Sequence, residues 1–559
     1  MERRVIYAIL LMLVVAVAPS LIWPSKRPAG TRPGAQAAGD SGGRSPAPEP
    51  GRAAVPPTEP RDRLTTPTAP TAQAADTVWV TSPLYRLGFS TKGGVLVVAE
   101  LPGYQSLAPG DSARPAQLVP PGRPLLTHRL VQEADTVSLA DWTFTPSAHQ
   151  LRIEAGGSAG RLDFTARRGA AEVALTYRFE AADYRFTVDG QVTGLGPQGA
   201  LLLVGLGDGV RSVQADSADD YRRYAVVTKA ARTESRPFSS LDPGERAEFN
   251  GPFEWVAIKS KYFLVAALAI EPNRPQFGGV IAVGGPKPGK AHTRVAVTLT
   301  LPVPPAGGFR YQVYAGPFEH RRLAAIGHDL DDANPYGWIF RPIVQPVSVF
   351  VVNIVLWMHE RLSLAYGWVL VIFGILVRLL LWPLNQKAME SAIRMQAVAP
   401  LIKETQERYK KEPERLQREM LRIYKEHKVN PFGGCVPMLI PLPVLLALFF
   451  VFDNTIAFRG VPFLWLPDLA RPDPYYIIPL VMGLSMYALT KVGQMGVPPN
   501  PQTKMMLYFM PIMMTALFVN FASGLNLYYA VSNIFSVPQQ LLIAQRRLRQ
   551  APVPKPATG

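Results

Sequence analysis

The chain has 559 residues, enough for a membrane region plus a separate soluble domain, and its mean hydropathy of +0.08 hides apolar residues that are concentrated at the N-terminus and after about residue 340. A single cysteine, Cys435, excludes an intramolecular disulfide and argues against a cysteine-based metal site. The net charge of +16 does not indicate nucleic-acid binding, because the basic residues are not gathered with aromatic ones in a folded module and many flank apolar segments.

The first predicted element is an N-terminal transmembrane anchor, residues 1–23. Two arginines precede the apolar run Val5–Trp23, which is longer than the apolar core of an ordinary signal peptide. This length favours an uncleaved anchor, although a signal peptide cleaved near Ser20 remains the alternative. Because Lys and Arg stay on the cytoplasmic side of a membrane, we expect the chain to begin in the cytoplasm.

The second predicted element is a flexible linker, residues 24–76. This segment is rich in Pro, Ala, Gly and Thr, contains no aromatic residue and follows neither a helical nor a strand period. Such a segment cannot bury enough apolar surface to offset the loss of chain entropy on folding. We therefore expect it to act as a tether.

Residues 77–325 show the two-residue alternation of half-buried strands. Apolar residues alternate with polar residues or glycine in several short segments, among them Tyr85/Leu87/Phe89, Leu175/Tyr177/Phe179, Val295/Val297/Leu299/Leu301 and Phe309/Tyr311/Val313. Gly93 and Gly94 have the composition of a hairpin turn. Many short strands with little helical pattern predict an antiparallel β-sandwich that lies outside the cytoplasm.

The predicted sandwich offers no evident enzyme site. Its strands contain no nucleophile elbow and no glycine-rich phosphate loop, and metal-ligand spacing is missing among its histidines, His128, His149, His292, His320 and His328. A scaffold is therefore the favoured interpretation. An anchored sugar-processing enzyme, with His and Glu residues that meet only in space, remains an alternative, and it predicts that deletion of residues 80–320 abolishes activity.

Two apolar helices are predicted after the sandwich. Residues 336–361 predict an interfacial amphipathic helix, because the apolar run is interrupted by a Gln-Pro pair and ends in three polar residues. Residues 362–384 predict the second transmembrane helix, TM2, in which Arg378 stands where an isolated cation costs about 2.5–3.5 kcal/mol on insertion scales. Its side chain could snorkel to the interface, but the several spans that follow favour a polar cavity that Arg378 faces.

Residues 385–430 are strongly charged and carry apolar residues at helical spacing in two parts. Lys410 and Lys411 lie at the turn between the parts, and Pro413 is acceptable in the first turn of the second helix. The segment predicts a helical hairpin in the cytoplasm. For any single charge in it, a solvated surface that only sets the topology is the simpler interpretation.

Four more apolar segments and a basic tail complete the chain: residues 436–452 (TM3), 475–489 (TM4), 505–521 (TM5), 525–543 (TM6) and 544–559 (the tail). Counted from the N-terminal anchor, they predict six spans with both termini in the cytoplasm, the sandwich outside and the hairpin inside. Arg378 then lies in the cytoplasmic half of the membrane. Several spans rise only about 23–26 Å, less than the roughly 30 Å of the hydrocarbon core, so the bilayer should thin around them.

The stretch Lys428–Pro437, with the sequence KVNPFGGCVP, stands at the entry to TM3. With it, the chain resembles the YidC family of membrane protein insertases, in the Gram-negative form that has a large periplasmic domain. The resemblance is strong over about residues 336–547, and the sandwich and anchor match only in general arrangement. It is carried further by Tyr336-Gly337-Trp338, Val377-Arg378, Trp382-Pro383-Leu384, Asp473–Tyr476 and Ser523–Asn533.

The resemblance implies a core of five helices around a hydrophilic groove that opens to the cytoplasm and to lipid and is closed to the outside. Arg378 matches the groove arginine, which would attract the acidic end of an incoming chain. Tyr529 falls on the substrate-contacting path by the family motif. By their position between matched motifs, Leu445, Met482 and Leu517 fall on it too. The predicted hairpin matches the cytoplasmic loop that receives substrates and targeting factors.

The sequence departs from the family pattern at two positions of the implied groove. Pro441 replaces a residue that is commonly polar, and Gly374, one turn before Arg378, lacks a side chain where polar ones often occur. Both differences would lower the polarity of the groove.

The predicted function is that of a non-enzymatic insertase and folding chaperone in the cell inner membrane, acting alone or with the Sec translocon. The resemblance implies nascent membrane proteins, the signal recognition particle receptor, the ribosome and the lipid bilayer as partners, without cofactor, metal or nucleic acid. Since the sequence has no Walker-type loop, client partitioning and the membrane potential would drive insertion. A solute transporter or channel is the alternative, but it predicts paired intramembrane charges or repeated broken helices, which the sequence does not show.

Overall fold

The structure is a computed structural model that describes residues 76–550 except 133–134, 196, 287–293, 335, 337–339, 387–397, 399–400, 403, 411, 428–441 and 496–500. Several predicted features lie outside the described residues: the anchor, the linker up to residue 75, Lys411, the Lys428–Pro437 stretch, Pro441 and residues 551–559 of the tail. The described chain begins with a β-rich part and continues, after residue 340, as a helical part.

Many strands of the β-rich part show the predicted alternation. Their bounds are β1 Thr77–Thr81, β2 Arg86–Ser90, β3 Leu96–Gln105, β4 Pro115–Gln117, β5 Thr127–Gln132, β6 Asp135–Ser138, β7 Thr145–Pro146, β8 Gln150–Arg152, β9 Gly160–Arg168, β10 Ala171–Phe179, β11 Arg185–Thr193, β12 Ala200–Gly207, β13 Ala225–Lys229, β14 Thr233–Pro237, β15 Arg246–Phe253, β16 Trp255–Lys259, β17 Phe263–Leu268, β18 Phe277–Gly284, β19 Val295–Val303 and β20 Gly308–Pro317.

The strands form three sheets, and the predicted antiparallel β-sandwich is confirmed. The strand orders are β4-β3-β2-β1-β8, β14-β13-β16-β17-β20-β11-β10-β9-β7 and β15-β18-β19-β12-β5-β6. Among the described strands, the pairing of β1 with β8 is parallel, with Val80 opposite Leu151, and the other pairs are antiparallel. Gly93 and Gly94, at φ +82° and +62°, make the predicted turn between β2 and β3, because glycine adopts these angles without a Cβ clash.

Apolar side chains that alternate along the strands meet in one large core. In β10, Val173, Leu175, Tyr177 and Phe179 are buried, while the residues between them are more exposed. The ring of Phe89 lies 4.6 Å from that of Tyr177, measured between centroids. Burial of such aromatic rings, at about 25 cal/mol per Å² of apolar surface, is the main source of stability for a domain without disulfides.

His128 in β5 is fully buried in this core. Its Nε2 atom lies 2.7 Å from the hydroxyl of Tyr311 in β20, and its Nδ1 atom has no hydrogen-bond partner among the described residues. Burial disfavours the charged imidazolium and lowers the pKa of His128 from 6.5 to about 4. The folded domain therefore holds a neutral imidazole at neutral pH.

We expect this histidine to make the sandwich less stable in acid. Between pH 6.5 and about pH 4 the unfolded chain binds a proton at His128 that the folded chain does not, so the free energy of unfolding should fall by about 3 kcal/mol as the pH falls through this window. His128→Phe should remove that dependence. Hydrogen exchange of the β5 and β20 amides, measured from pH 7 to 4, tests this. His149→Phe is the control because His149 is exposed, and an unchanged pH dependence in His128→Phe would contradict the assignment.

One short helix lies within the sandwich, and the other helices of the described chain follow it. Their bounds are α1 Ser217–Arg222, α2 His320–Ile326, α3 Arg341–Leu362, α4 Tyr366–Leu380, α5 Pro413–Glu426, α6 Leu442–Asn454, α7 Ile477–Gly493, α8 Pro501–Phe518 and α9 Ser523–Gln550. By length and composition alone, α3 is the one helix among the described residues that could cross a membrane; the apolar stretches of α4, α6, α7 and α8 are shorter. The interfacial position inferred for this segment from the sequence stays a prediction.

The helical part has a second hydrophobic core, in which neighbouring helices approach each other closely at two glycines. A side chain at Gly483 in α7 would clash with Thr515 in α8, and one at Gly524 in α9 would clash with the ring of Phe452 in α6. The second core consists mainly of buried residues of α3, α4, α6, α7 and α9. The five helices α4, α6, α7, α8 and α9 correspond to the predicted TM2 to TM6.

The sandwich contacts the helical part where α6 ends. Arg223 and Lys261 of the sandwich lie 2.6 Å and 3.4 Å from the carboxylate of Asp453. Just beyond α6, Arg459 donates three hydrogen bonds to the sandwich, to the side chain of Gln214 and to the backbone carbonyls of Gln105 and Val213, at 2.7–2.8 Å. These contacts fix the sandwich on the loop that follows α6, a joint that the sequence did not predict.

Candidate groove at Arg378

Arg378 lies in the last turn of α4 and is the only charged residue of that helix. Its side chain is half-buried, and its Nε atom is buried without a hydrogen-bond partner in the part of the chain that the structure describes. Within the same residues no carboxylate pairs with it, and the group that interacts with its charge is the phenol of Tyr528 in α9. A guanidinium has five N–H donors, so this one retains the capacity to bind an acidic group.

The helix beside Arg378, α9, carries a polar stripe. Ser532 and Ser536 are one turn apart, and the Ser536 hydroxyl donates to the Ser532 carbonyl at 2.5 Å. Further along, Gln539 donates to the carbonyl of Trp382, just after α4, at 3.2 Å. The Oε1 atom of Gln540 is buried and has no partner among the described residues. Polar atoms that the fold leaves unused can bind water or the polar groups of a client.

Gly374 lies where α4 packs against α9. A Cβ atom at this position would lie 3.4–3.5 Å from side-chain atoms of Tyr528, Val531 and Ser532, which is ordinary van der Waals contact, so an alanine would fit there. The sequence suggested only that glycine here lowers the polarity of the groove. The structure adds that Gly374 faces Tyr528 and Ser532 of the polar stripe of α9.

The predicted substrate-contacting residues lie on four helices and differ in exposure. Tyr529 is half-buried, with its ring 5.4 Å from that of Phe518, measured between centroids. Leu445 in α6 and Leu517 in α8 are half-buried against the second core. Met482 in α7 is only 2% exposed. Tyr529 therefore contacts α8 through Phe518, the neighbour of Leu517 in sequence, whereas Met482 packs inside the helical core.

Sequence reasoning missed Tyr528 and the polar stripe. Tyr528, Ser532, Ser536 and Gln540 follow one another at a spacing of four residues, which places them on one face of a helix. That spacing was the available signal. The four-residue spacing does not indicate which neighbouring helix this face packs against, because that depends on packing between segments far apart in sequence.

The charged hairpin is described in part. α5 begins at Pro413, as predicted, and contains no buried residue. The guanidinium of Arg415 lies 5.0 Å from the ring centroid of Tyr409, beside Lys410 in the turn. Charged pairs such as Arg422 with Glu426, at 2.7 Å, lie on its exposed face. Within the described residues no group of three or more His, Cys, Asp or Glu side chains could hold a metal ion.

Comparison with known proteins shows the family. A family model described as YidC periplasmic domain matches residues 77–349, and one described as 60Kd inner membrane protein matches residues 357–550. A membrane protein insertase YidC from Citrifermentans bemidjiense is 31% identical over 550 residues, covering 97% of this chain and 99% of that relative. The chain belongs to the YidC family of membrane protein insertases.

Other relatives match a smaller part. The YidC insertase of Chlorobaculum tepidum is 32% identical over 409 residues, and this match covers 68% of the present chain and 66% of that relative, so the chain spans about two thirds of its length. A crystal structure of an active YidC insertase with its first transmembrane domain resolved is similar with a TM-score of 0.34 and 18% identity, covering 84% of this chain and 93% of that one.

Membership of the YidC family answers the main question that the sequence left open. The resemblance noted from the sequence is confirmed, and the insertase interpretation is supported over a transporter or channel. The family model that matches the helical part is described as that of an inner-membrane protein. Arg378, beside the polar stripe of α9, is then the candidate site at which a client enters the protein.

Proposed function

We propose that this chain inserts proteins into the inner membrane by admitting the acidic, hydrophilic end of a client into a groove between α4 and α9. The single observation that carries the proposal is the half-buried Arg378, whose Nε atom has no hydrogen-bond partner among the described residues, beside unused polar atoms of α9. A buried cation without an internal carboxylate is costly unless water or a ligand solvates it. A carboxylate of the client meets this need.

The apolar part of the client would leave the groove along α6 and α8. Leu445 on α6, Leu517 on α8 and Tyr529 on α9 are half-buried, so they combine support from the helical core with a surface that a client can touch. Met482 would join this path only if α7 moves, because it is buried.

We infer a topology of six spans, with both termini, the hairpin and the tail in the cytoplasm and the sandwich in the periplasm. The distribution of Lys and Arg supports it. Arg378 then lies in the cytoplasmic half of the membrane. Short apolar helices such as α4 favour a locally thinned bilayer, which shortens the path that a polar segment has to cross.

The proposed insertase is not an enzyme. Its driving force would be the partitioning of apolar client segments into lipid together with the membrane potential, which contributes about 2.3 kcal/mol per charge per 100 mV. Because the outside is positive, this potential moves acidic segments outward.

We further propose that the hairpin around Lys410, Lys411 and Pro413 receives nascent membrane proteins with the signal recognition particle receptor and the ribosome, and that larger clients are handled with the Sec translocon. The exposed charges of α5 support this assignment, since none of its residues is buried in the fold.

Site-specific crosslinking tests the proposed path. A photoreactive residue at Tyr529, Leu445 or Leu517 should crosslink a nascent membrane protein during insertion, and one at Met482 should crosslink it less. The same residue at Leu480 or Leu484, exposed on α7, is the matched control and should react mainly with lipid. Equal client crosslinking at the control positions would refute the path.

A further inference from the structure

The sandwich contains a cavity of about 370 Å³ that is rich in arginine. Its lining includes Arg123, Arg211 and Arg294, opposed by one carboxylate, Asp208, with Tyr221 and Tyr224 as apolar walls. Three guanidinium groups against one carboxylate leave a net positive lining. The volume is within the range of small-ligand pockets and larger than a single bound ion requires.

The basic side chains are held in place by the fold. Arg123 pairs with Asp208 at 2.6 Å, and Arg211 pairs with Asp111 at 2.8 Å. Arg294 is brought beside them because the next residue, Val295, donates its backbone N–H to the Asp208 carbonyl at 3.4 Å. Since no ion pair joins Arg294 to another described residue, its guanidinium can form a bidentate bond with an incoming carboxylate.

The wall made by the tyrosines is also fixed. The hydroxyl of Tyr224 donates to the carbonyl of Val210 at 2.5 Å, and its ring packs edge-on against that of Phe238. Gly209 has φ +132°, a conformation that residues with a Cβ rarely adopt. The cavity is therefore a built feature of the loop after β12 and not a gap between mobile side chains.

The cavity lies close to the proposed exit of the client. Arg223, between the two tyrosines of the lining, forms the 2.6 Å contact with Asp453 at the end of α6. Leu445, on the proposed client path, belongs to the same helix. A segment that emerges beside α6 on the periplasmic side therefore reaches the arginine-lined cavity within a short distance.

We propose that this cavity binds acidic side chains of a client segment that has just crossed the membrane. The proposal rests on the proposed insertase function: Arg378 would attract the acidic segment on the cytoplasmic side, and the cavity would hold it on the periplasmic side. Guanidinium groups recognise carboxylates by paired, charge-assisted hydrogen bonds, so neutral Asn or Gln residues at the same client positions should bind poorly.

Peptide binding to the full-length protein in nanodiscs tests the cavity. The probe is a fluorescent ten-residue peptide rich in Asp and Glu, compared with its Asn and Gln counterpart, and the Arg378→Gln background removes binding at the groove. Arg123→Gln combined with Arg294→Gln should weaken the acidic peptide at least tenfold. Asp208→Asn, which removes the carboxylate of the lining, should strengthen it. Arg246→Gln is the control, an exposed arginine of β15 paired with Glu248.

The outcomes separate the cavity from the groove. Equal binding of the acidic and neutral peptides, or unchanged binding in the double variant together with no gain in Asp208→Asn, would overturn the cavity proposal while leaving insertion through Arg378 untouched. Stronger binding of glycerol phosphate than of the acidic peptide would overturn it in favour of a phospholipid headgroup. If the double variant fails to fold, Asp208→Asn tests the cavity by itself: stronger binding of the acidic peptide supports the proposal, and unchanged binding overturns it. Normal client insertion by Arg378→Glu would instead defeat the proposed function itself.

Discussion

Arg378→Glu should reduce the insertion of membrane proteins with acidic translocated tails by more than tenfold. Two unit charges 4 Å apart interact by about 4 kcal/mol at an effective dielectric constant of 20, so reversing the charge turns an attraction into a repulsion of similar size. A change of about 1.4 kcal/mol already corresponds to tenfold. Arg378→Ala should impair insertion less severely, and Arg378→Lys should largely preserve it. Reconstituted vesicles and a protease-protection assay measure the inserted fraction.

The specificity of this effect rests on two controls. Lys491→Glu reverses the charge of an exposed lysine in the last turn of α7, whose ammonium group lies 5.8 Å from the ring centroid of Tyr487, and should leave insertion nearly unchanged. A client whose translocated tail carries Lys in place of Asp and Glu should be inserted better by Arg378→Glu than by the unmodified protein. Insertion of the acidic client by Arg378→Glu at the normal rate would rule out the groove.

Arg459→Met should release the sandwich from the loop after α6. The substitution keeps a long apolar stem but removes the three hydrogen bonds that Arg459 donates, those to the carbonyls of Gln105 and Val213 included. Val213 keeps the hydrogen bond that its carbonyl accepts from the Leu107 N–H. Hydrogen bonds to charged groups contribute about 1.5–3 kcal/mol each, so the loss of all three should weaken docking by at least about 4 kcal/mol. Hydrogen exchange at residues 105–107 and 456–461 should accelerate by at least about 100-fold.

The control for this prediction is Arg471→Met. Arg471 lines the same cleft between the sandwich and the loop, but its side chain is exposed. Exchange at the joint should hardly change in that variant. If Arg459→Met also left exchange unchanged, the hydrogen bonds of Arg459 would not be what fixes the sandwich.

Local patterns predicted the elements of the fold well. Many strands of the sandwich follow the two-residue alternation because one of their faces is buried, and the turn at Gly93 and Gly94 follows from glycine chemistry. Strands β13, β16 and β17 are buried on both faces and do not alternate. The three-sheet arrangement and the parallel pairing of β1 with β8 were not predicted. The two-residue alternation within a strand does not indicate which distant strand pairs with it. The contact of Arg223 with Asp453 escaped prediction for the same reason.

The candidate groove was predictable in part. Arg378 could be predicted as a site residue because it is an isolated cation in an apolar segment, where its burial costs free energy unless water or a ligand solvates it. Its surroundings could not be inferred, because the approach of Tyr528 and Ser532 depends on how α4 packs on α9 at Gly374. Among the residues placed on the client path by resemblance, Met482 is buried, and its position between matched motifs did not reveal this burial.

The accessibility of position 378 to water tests the central claim most directly. In a chain with Cys435→Ser, Arg378→Cys should react with a charged maleimide added to inverted vesicles, which expose the cytoplasmic side, and should stay unreactive in right-side-out vesicles. Leu380→Cys, at a position 75% exposed on the apolar surface, should be unreactive in both. Labelling of Arg378→Cys from the outside, or from neither side, would contradict the claim that Arg378 lies in a water-accessible groove open to the cytoplasm.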